Sequence, residues 1–503
     1  MIIVPLSVVA YLMICLVIRQ FELPRPRPYG MSFAGYVVGL LALLELFALW
    51  FVVSWRPLFA LVSASITVAV ITAISNYKYR QVGEPLTFVD FELIPQIWRH
   101  PALYQASFLH HPAFWAFVLG VFGIILGWCN LVEPNVLGNV SYFWVFMAAG
   151  LAGFILSVVA IIAPPPWLVR LASVAARHRD PNEDGRQCGL PSTLLSHFIM
   201  WQTGRPDIMG MTASERAPLD WVTIPADAKN AAPVVIVIQS ESFVDLVGSG
   251  FDGPALPSLA RARSMAVSHG RLTTPIQGAW TLRSEFVLLT GKPIQAYGLE
   301  GLNPYLRLAK RTVDTLAHQF QDAGFSTVFI HPFDMRFFRR DTAMPKLGFQ
   351  RLIGEADLPN ASRDGYFISD AYTGRIVRDL VASSNGALFC FIATMENHNP
   401  WEPSRLPHVH GAAGQYAHHL RNADTMLGEL IDELEKCGRP AVLAFYGDHV
   451  PILPEVASPF PDPRTDYVVV QIGNARPGIE QDLSLSDLPA LILKATRDCS
   501  QKE

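Results

Sequence analysis

Pro233-Val234-Val235-Ile236-Val237-Ile238-Gln239-Ser240-Glu241 is an apolar run that ends abruptly on polar side chains. Its β-branched residues favour an extended chain, and a run apolar on both faces suits a parallel strand covered from both sides. Comparable runs recur at Ser326 to Ile330, Ala387 to Ile392, Ala441 to Phe445 and Tyr467 to Ile472. Longer amphipathic stretches separate them, with helices expected over Pro257 to Ser268, Thr281 to Thr290, Thr312 to Ala323, Ile368 to Ser383, Tyr416 to Lys436 and Ser486 to Ala495. Short strands alternating with longer helices predict an α/β domain over residues 232–497 with a mostly parallel central sheet. In such a sheet ligands bind beyond the carboxyl ends of the strands. Glu241, His331, His398 and the pair Asp448 and His449 each stand just there.

Upstream the chain changes character. Residues 2–18, 34–54, 57–75, 113–129 and 142–163 contain no Lys, Arg or Asp, and Glu45 alone interrupts them. Each is long enough, at helical rise, to cross or nearly cross a bilayer core. Five membrane helices are therefore expected over a transmembrane domain of residues 1–166, closed by Pro164, Pro165 and Pro166. Residues 167–231, with Arg, Pro and Gly scattered among short apolar pieces, read as a connector.

With 51% hydrophobic and 16% charged residues, the 503-residue chain is too apolar for an ordinary soluble enzyme. A net charge of −4 and the lack of a basic run interleaved with aromatics argue against nucleic acid as a partner. The six cysteines are scattered without CxxC spacing, which implies neither a disulfide framework nor a zinc ribbon.

The polar strand endings invite a chemical reading. Thr281 opens an expected helix within Gly278-Ala279-Trp280-Thr281-Leu282-Arg283-Ser284-Glu285-Phe286, so a phosphate placed there would meet unpaired amides and the positive end of the helix dipole. The plainer alternative is that Thr281 is only an N-cap. A hydroxyl is a weak nucleophile unless a base or a cation activates it. Glu241, Asp448 and His449 offer two carboxylates and an imidazole, a set suited to one divalent metal, with manganese first and zinc or magnesium as alternatives. For a second metal only Asp334, His331 and Asp245 stand near in the pattern. His331-Pro332-Phe333-Asp334-Met335-Arg336-Phe337-Phe338-Arg339-Arg340-Asp341 sets arginines among aromatic rings, either as a phosphate-gripping loop or as a basic surface loop. His398, in Met395-Glu396-Asn397-His398-Asn399-Pro400-Trp401, is a candidate phosphate donor or proton shuttle.

Taken in order, Ile236 to Ser242, Gly278 to Phe286, Phe337 to Asp341, Met395 to Trp401 and Tyr446-Gly447-Asp448-His449 resemble the lipoteichoic acid synthase-like phosphoglycerol transferases, of the sulfatase and alkaline phosphatase superfamily. The resemblance covers residues 232–495, and the apolar runs before them resemble that family's membrane region. It implies a metal held by Glu241, Thr281, Asp448 and His449, with Thr281 as the nucleophile that becomes covalently modified. Arg340 and His398 would contact the phosphate and glycerol of the substrate. Phe338 stands where the family's synthases carry Trp, and Asp334 lies one residue from the family's acidic substrate contact. The implied reaction moves a phosphoglycerol headgroup from phosphatidylglycerol, or a related phospholipid, to a glycan or polyol-phosphate acceptor. A tethered domain would work close to the headgroups of its donor. A phosphoethanolamine transferase using the same threonine and a catalytically inactive membrane scaffold are the alternatives. A true sulfatase would need Cys or Ser in C/S-x-P-x-R, whereas Thr281 is followed by Leu282 and Arg283.

The resemblance implies a multi-pass protein of the cytoplasmic membrane with its catalytic domain outside. Charge bias opposes it: Arg19, Arg25, Arg27, Lys78, Arg80 and Arg99 would face outward and Arg56 alone inward. An interfacial helix over residues 84–100, seating Phe91 and Trp98 at the membrane surface, reconciles the two.

Overall fold

A computed structural model of the chain describes residues 3–27, 32–104, 110–133, 135–136, 143–204, 232–308, 313–457, 459–473 and 478–500. The chain divides into two compact units, Met1–Pro206 and Asp207–Glu503.

The first unit is helical. Its apolar helices are α1 (Ile3–Arg19), α2 (Phe33–Ser54), α3 (Pro57–Val82), α4 (Pro112–Val132) and α5 (Phe143–Ile162). All the expected apolar runs are therefore helical, but only α2, α3 and residues 144–162 of α5 combine the length and hydropathy of a membrane span. The 17 residues of α1 rise about 25 Å against a hydrocarbon core of about 30 Å. These helices anchor the chain in a membrane. Glu45, the one acid in the apolar runs, accepts a hydrogen bond from Ser157 Oγ at 2.9 Å, which joins α2 to α5. Glu133 accepts from the amides of Leu58 and Phe59 at 2.7 and 3.2 Å and caps the positive end of α3.

Much of the expected connector is structured. α6 (Pro166–Ala175), α7 (Pro181–Cys188) and α8 (Leu190–Thr203) belong to this unit, α6 and α8 packing on α2 and on each other. Each of the three carries a proline in its first turn, where the missing N–H costs nothing, so prolines that look like breaks mark helix starts. Asp184 and His197 pair at 2.9 Å with both side chains buried. The helical unit thus reaches past the expected boundary at 166, and residues 205–231 of the connector lie outside the described residues. Within residues 84–100, Phe88–Leu93 and Ile94–Arg99 are short helices, with Phe91 and Trp98 exposed.

The second unit is an α/β domain. Its strands are β1 (Val234–Ser240), β2 (Ala266–Thr273), β3 (Ser326–Ile330), β4 (Arg351–Ile353), β5 (Leu388–Ala393), β6 (Ala441–Gly447) and β7 (Thr465–Ile472), in the order β2-β7-β6-β1-β5-β3-β4. Two-residue strands at Ile479–Glu480 and Leu483–Ser484 pair with β2. From β4 to β6 all pairs are parallel; β7 is antiparallel to both β6 and β2. The strand at Tyr467 to Ile472 therefore forms as expected but runs the opposite way.

The helices are α9 (Pro257–Met265), α10 (Thr281–Thr290), α11 (Asp370–Ser383), α12 (Gly411–Cys437) and α13 (Leu488–Ser500), with shorter ones at Tyr305–Leu308, Leu316–Asp322 and Arg340–Ala343. α9 stops three residues before the expected end because Ala266 to Ser268 already belong to β2. Every residue of β1 is buried, and burying each Val or Ile is worth about 1.5–3 kcal/mol. Register then fixes function: Ser240 sits opposite Gly447, Gln239 opposite Ala393 and Ile330 opposite Ile392, so these strands end side by side.

Candidate active site

At the carboxyl ends of β1 and β6 the chain brings Glu241 beside Asp448. Gly447 permits the approach, since a Cβ there would lie 1.9 Å from the carbonyl oxygen of Phe243. Ser242, in a left-handed conformation, gives its amide to Asp448 Oδ1 and its hydroxyl to Glu241 Oε1, each at 2.8 Å. Thr394, just past β5, accepts from the amide of Glu241 at 3.0 Å. The His449 Nε2 atom lies 3.4 Å from Asp448 Oδ2 and 3.5 Å from Glu241 Oε1. Its Nδ1 is bonded to the carbonyl of Val450 at 3.1 Å, which directs Nε2 to the carboxylates.

Thr281 completes the cluster by donating to Glu241 Oε2 at 3.4 Å. It is not the helix cap. The cap position of α10 belongs to Trp280, held at φ 60° without a side-chain capping bond, so the Thr281 hydroxyl is released from capping and faces Glu241. Ser284, one turn on, donates to the carbonyl of Asp448 at 2.8 Å and locks α10 to the end of β6. Among the described residues of this domain, the non-glycine residues at positive φ are Ser242, Trp280, Phe338 and Arg339, all at this cleft. Such concentration of backbone strain is typical of functional sites.

Electrostatics sharpen the picture. Burial raises the Glu241 carboxyl, against the pull of His449 and Ser242. Burial and the Glu241 charge push Asp448 up to about 7. Burial alone would lower His449, but the charges of Asp448 and Glu241 win and raise it. Two carboxylates held together out of water favour any cation placed between them.

The remaining candidates surround this cluster. Arg340 is buried and turned to Glu285: Nη2 lies 2.6 Å and Nε 3.1 Å from Oε1, while Nη1 donates to the carbonyl of Phe337 at 3.2 Å. Its fork is therefore largely committed inside the protein, although its charge reaches Glu241. Phe338 stacks on Trp280 at 5.6 Å, and Arg340 lies over the Phe338 ring at 5.3 Å. The half-buried His398 bonds through Nδ1 to the carbonyl of Asn399, and burial pushes its imidazole down to about 4. Asp334 pairs with Arg336 at 2.9 Å on the loop after β3. Asp245 belongs elsewhere, in an ion pair with Arg263 at 2.8 Å. His331 is buried, bonded through Nδ1 to the carbonyl of Ala393 at 3.0 Å, and burial together with the Arg340 charge holds it well below its usual range. Ser242, Thr394 and the pairing role of Glu285 were not legible in the sequence, since each depends on a partner remote in the chain or on one peptide's conformation.

The sulfatase family profile matches residues 233–498. The chain is also 36% identical over 442 residues to the capsular polysaccharide biosynthesis protein RkpI of Rhizobium meliloti (strain 1021), covering 86% of this chain and 80% of that one. The chain belongs to the sulfatase family. Among solved structures, this sulfatase-family chain is similar to the integral membrane lipooligosaccharide phosphoethanolamine transferase A (EptA) of Neisseria meningitidis, with a TM-score of 0.52 and 13% identity, over 93% of this chain and 96% of that one. That likeness concerns the fold, a helical region followed by an α/β domain. It is also similar to the phosphoglycerol transferase GacH of Streptococcus pyogenes, solved with sn-glycerol-1-phosphate, at 23% identity and a TM-score of 0.47 over 53% of this chain and 75% of that one.

The sulfatase-family site fits a divalent cation. Glu241, Asp448 and His449 each place a ligand atom within 4.8 Å of the others, and Asp448 Oδ2 is buried without a hydrogen-bond partner. Two carboxylates and an imidazole, with the Thr281 hydroxyl alongside, are the donor set that such an ion takes.

Proposed function

We propose that this membrane-anchored chain transfers a phosphoglycerol headgroup from phosphatidylglycerol, through a covalent intermediate on Thr281, to a hydroxyl of a cell-envelope glycan or glycerol-phosphate chain. The observation that carries the reading is the Thr281 hydroxyl 3.4 Å from Glu241 Oε2, freed from capping by Trp280 and set beside Asp448 and His449. A hydroxyl so placed at the start of α10 meets phosphate oxygens among first-turn amides.

Glu241, Asp448 and His449 would hold a divalent cation, which when bound would supply positive charge near the phosphoryl oxygens and lower the pKa of the Thr281 hydroxyl. In the first half-reaction the Thr281 oxygen bonds to phosphorus and the bond from phosphorus to the diacylglycerol oxygen breaks. The threonine proton leaves along the hydrogen bond to Glu241 and is passed on to the departing oxygen, so diacylglycerol leaves as the alcohol. In the second half-reaction the acceptor hydroxyl attacks phosphorus, the bond to Thr281 breaks, and the acceptor's proton is returned to the Thr281 oxygen. His398, with its Nδ1 proton engaged by Asn399 and neutral at working pH, offers Nε2 to take the acceptor's proton. Arg340, held by Glu285, provides a fixed positive charge behind the site, and the Trp280 and Phe338 rings wall the space for a small headgroup. The Arg340 charge that reaches Glu241 favours an anionic or neutral headgroup over an amine, which supports glycerol against ethanolamine.

The glycan acceptor draws support from the capsular polysaccharide role in RkpI's name. The same reading locates the chain in the cytoplasmic membrane with its catalytic domain outside. The test is transfer by the detergent-solubilised chain from fluorescent phosphatidylglycerol and from phosphatidylethanolamine in parallel. Release of diacylglycerol from the first alone is expected; release from the second alone would overturn the assignment of headgroup.

A further inference from the structure

A second group of metal-ligand side chains lies outside the Thr281 cluster. Asp364, in the two-residue strand Arg363–Asp364 that pairs with Phe367–Ile368, and His418 and His419, on α12, each offer one ligand atom, all within 4.8 Å of one another. His418 Nε2 lies 2.8 Å from Asp364 Oδ2. Behind them, the fully buried Glu396 accepts from His419 Nδ1 at 2.7 Å and from Asn422 Nδ2 at 2.6 Å, and the same Asn422 amide donates to Asp364 Oδ2 at 2.7 Å.

The His419 ring carries the decisive detail. It is fully buried, its Nδ1 proton goes to Glu396, and its Nε2 is left as a lone pair with no hydrogen-bond partner. A carboxylate fixing one imidazole nitrogen so that the other presents its lone pair is the arrangement that metal-ligating histidines adopt. A solvated histidine has no need of such a brace, and a buried one kept only for packing loses the hydrogen bond that Nε2 would make in water. A further acid lies behind the site. Asp370 is 1% exposed with neither carboxylate oxygen partnered, and its amide bonds to Glu396 Oε2. Access is open, since Asp364 and His418 are 25% and 36% exposed while His419 is enclosed.

We propose that Asp364, His418 and His419 bind a second divalent cation of the zinc class, with Glu396 orienting His419 from behind. Two imidazoles and one carboxylate are a zinc-type donor set. The site joins three segments: the small hairpin that carries Asp364 and Phe367, the Phe367 ring lying 5.8 Å from that of His398, the long helix α12, and the loop that runs from Glu396 to His398. It does not depend on which headgroup the enzyme transfers.

The test uses the full chain in detergent, stripped with chelator and dialysed against zinc. In a Glu241→Gln, Asp448→Asn chain, which lacks the first cluster's acids, one equivalent of zinc is expected to remain bound; adding His419→Gln and His418→Asn should abolish it. Loss of all zinc from the first variant, with its circular dichroism unchanged, overturns the proposal, as does zinc retained after the histidines are replaced. Should these variants fail to fold, Asp364→Asn alone at the half-exposed ligand decides: bound zinc falls by one equivalent if the proposal holds and is unchanged if it does not. A wild type that binds no more zinc than the Glu241→Gln, Asp448→Asn chain would count against the first metal centre and leave this one standing.

Discussion

Glu285 Oε1 lies 2.6 Å from Arg340 Nη2, and neither side chain is more than 1% exposed. Tyr305 donates to the other carboxylate oxygen at 2.8 Å, so the acid is satisfied on both sides. Each charge is tolerable only because the other is present. Glu285→Gln or Arg340→Met alone should therefore destabilise the chain by about 3–5 kcal/mol in denaturant unfolding, while the double replacement by apolar residues recovers much of that loss. Arg340→Met and the double should lose transfer activity because they remove the fixed positive charge behind Thr281, and Glu285→Gln should lose it because the guanidinium is no longer held in place.

Thr281→Ala should reduce transfer by on the order of 10⁴-fold or more, as removal of a covalent nucleophile does elsewhere. Thr281→Ser, which keeps a hydroxyl, should retain measurable turnover. Because Glu241, Asp448 and His449 hold one another through Ser242 and Val450, the alanine variant should still stabilise on adding manganese. Turnover assays and thermal melts with and without the metal check these outcomes.

Removing metal should expose the pH dependence of the acid cluster. The Asp448 carboxyl is raised to about 7 in the folded chain, against about 3.9 when unfolded. A group raised in this way favours folding when protonated, and its contribution is lost as pH rises through the folded value. Relative to Asp448→Asn, the chelated wild type should lose stability from about pH 4 to about pH 7. The raised His449 works in the same direction. The gain in melting temperature on adding manganese should accordingly be larger at pH 8 than at pH 6, because the metal replaces protons on its ligands.

His398 and His331 carry the opposite sign. Burial lowers both, His398 to about 4. The unfolded chain then takes up the proton first, and stability should fall as pH drops from about 6.5 towards 4. A His331→Gln variant should flatten that fall in chemical denaturation run across the same pH range.

Phe338→Ala removes the ring stacked on Trp280. Stacked pairs are worth about 0.5–1.5 kcal/mol beyond their buried area, so KM for the lipid donor should rise about 2- to 10-fold, with a smaller change in kcat. Phe338→Trp should lower KM below the wild-type value if the headgroup has a hydroxyl for the indole N–H. Steady-state kinetics on mixed micelles separates the two parameters.

Much of this was legible beforehand because burial on both faces leaves a plain imprint. The five runs starting at Pro233, Ser326, Ala387, Ala441 and Tyr467 all became strands, and Glu241, Asp448 and His449 follow two of them by adjacency alone. β2 was not legible, since Ser268, His269, Gly270 and Arg271 give a partly exposed strand no apolar run. α6 to α8 were hidden by prolines that begin helices. At the site, nothing local told that Trp280 would take the cap from Thr281, or that Arg340 would meet an acid 55 positions away. Both depend on tertiary packing that overrides local preference.

The central claim is that Thr281 becomes esterified by a lipid headgroup. Intact-protein and peptide mass spectrometry of the manganese-loaded chain, quenched after brief exposure to phosphatidylglycerol without acceptor, tests it most directly. A glycerophosphoryl adduct confined to the peptide bearing Thr281, absent from Thr281→Ala and discharged on adding an acceptor glycan, is the predicted result. Diacylglycerol release at full rate with Thr281 unmodified, or undiminished in Thr281→Ala, would contradict the account.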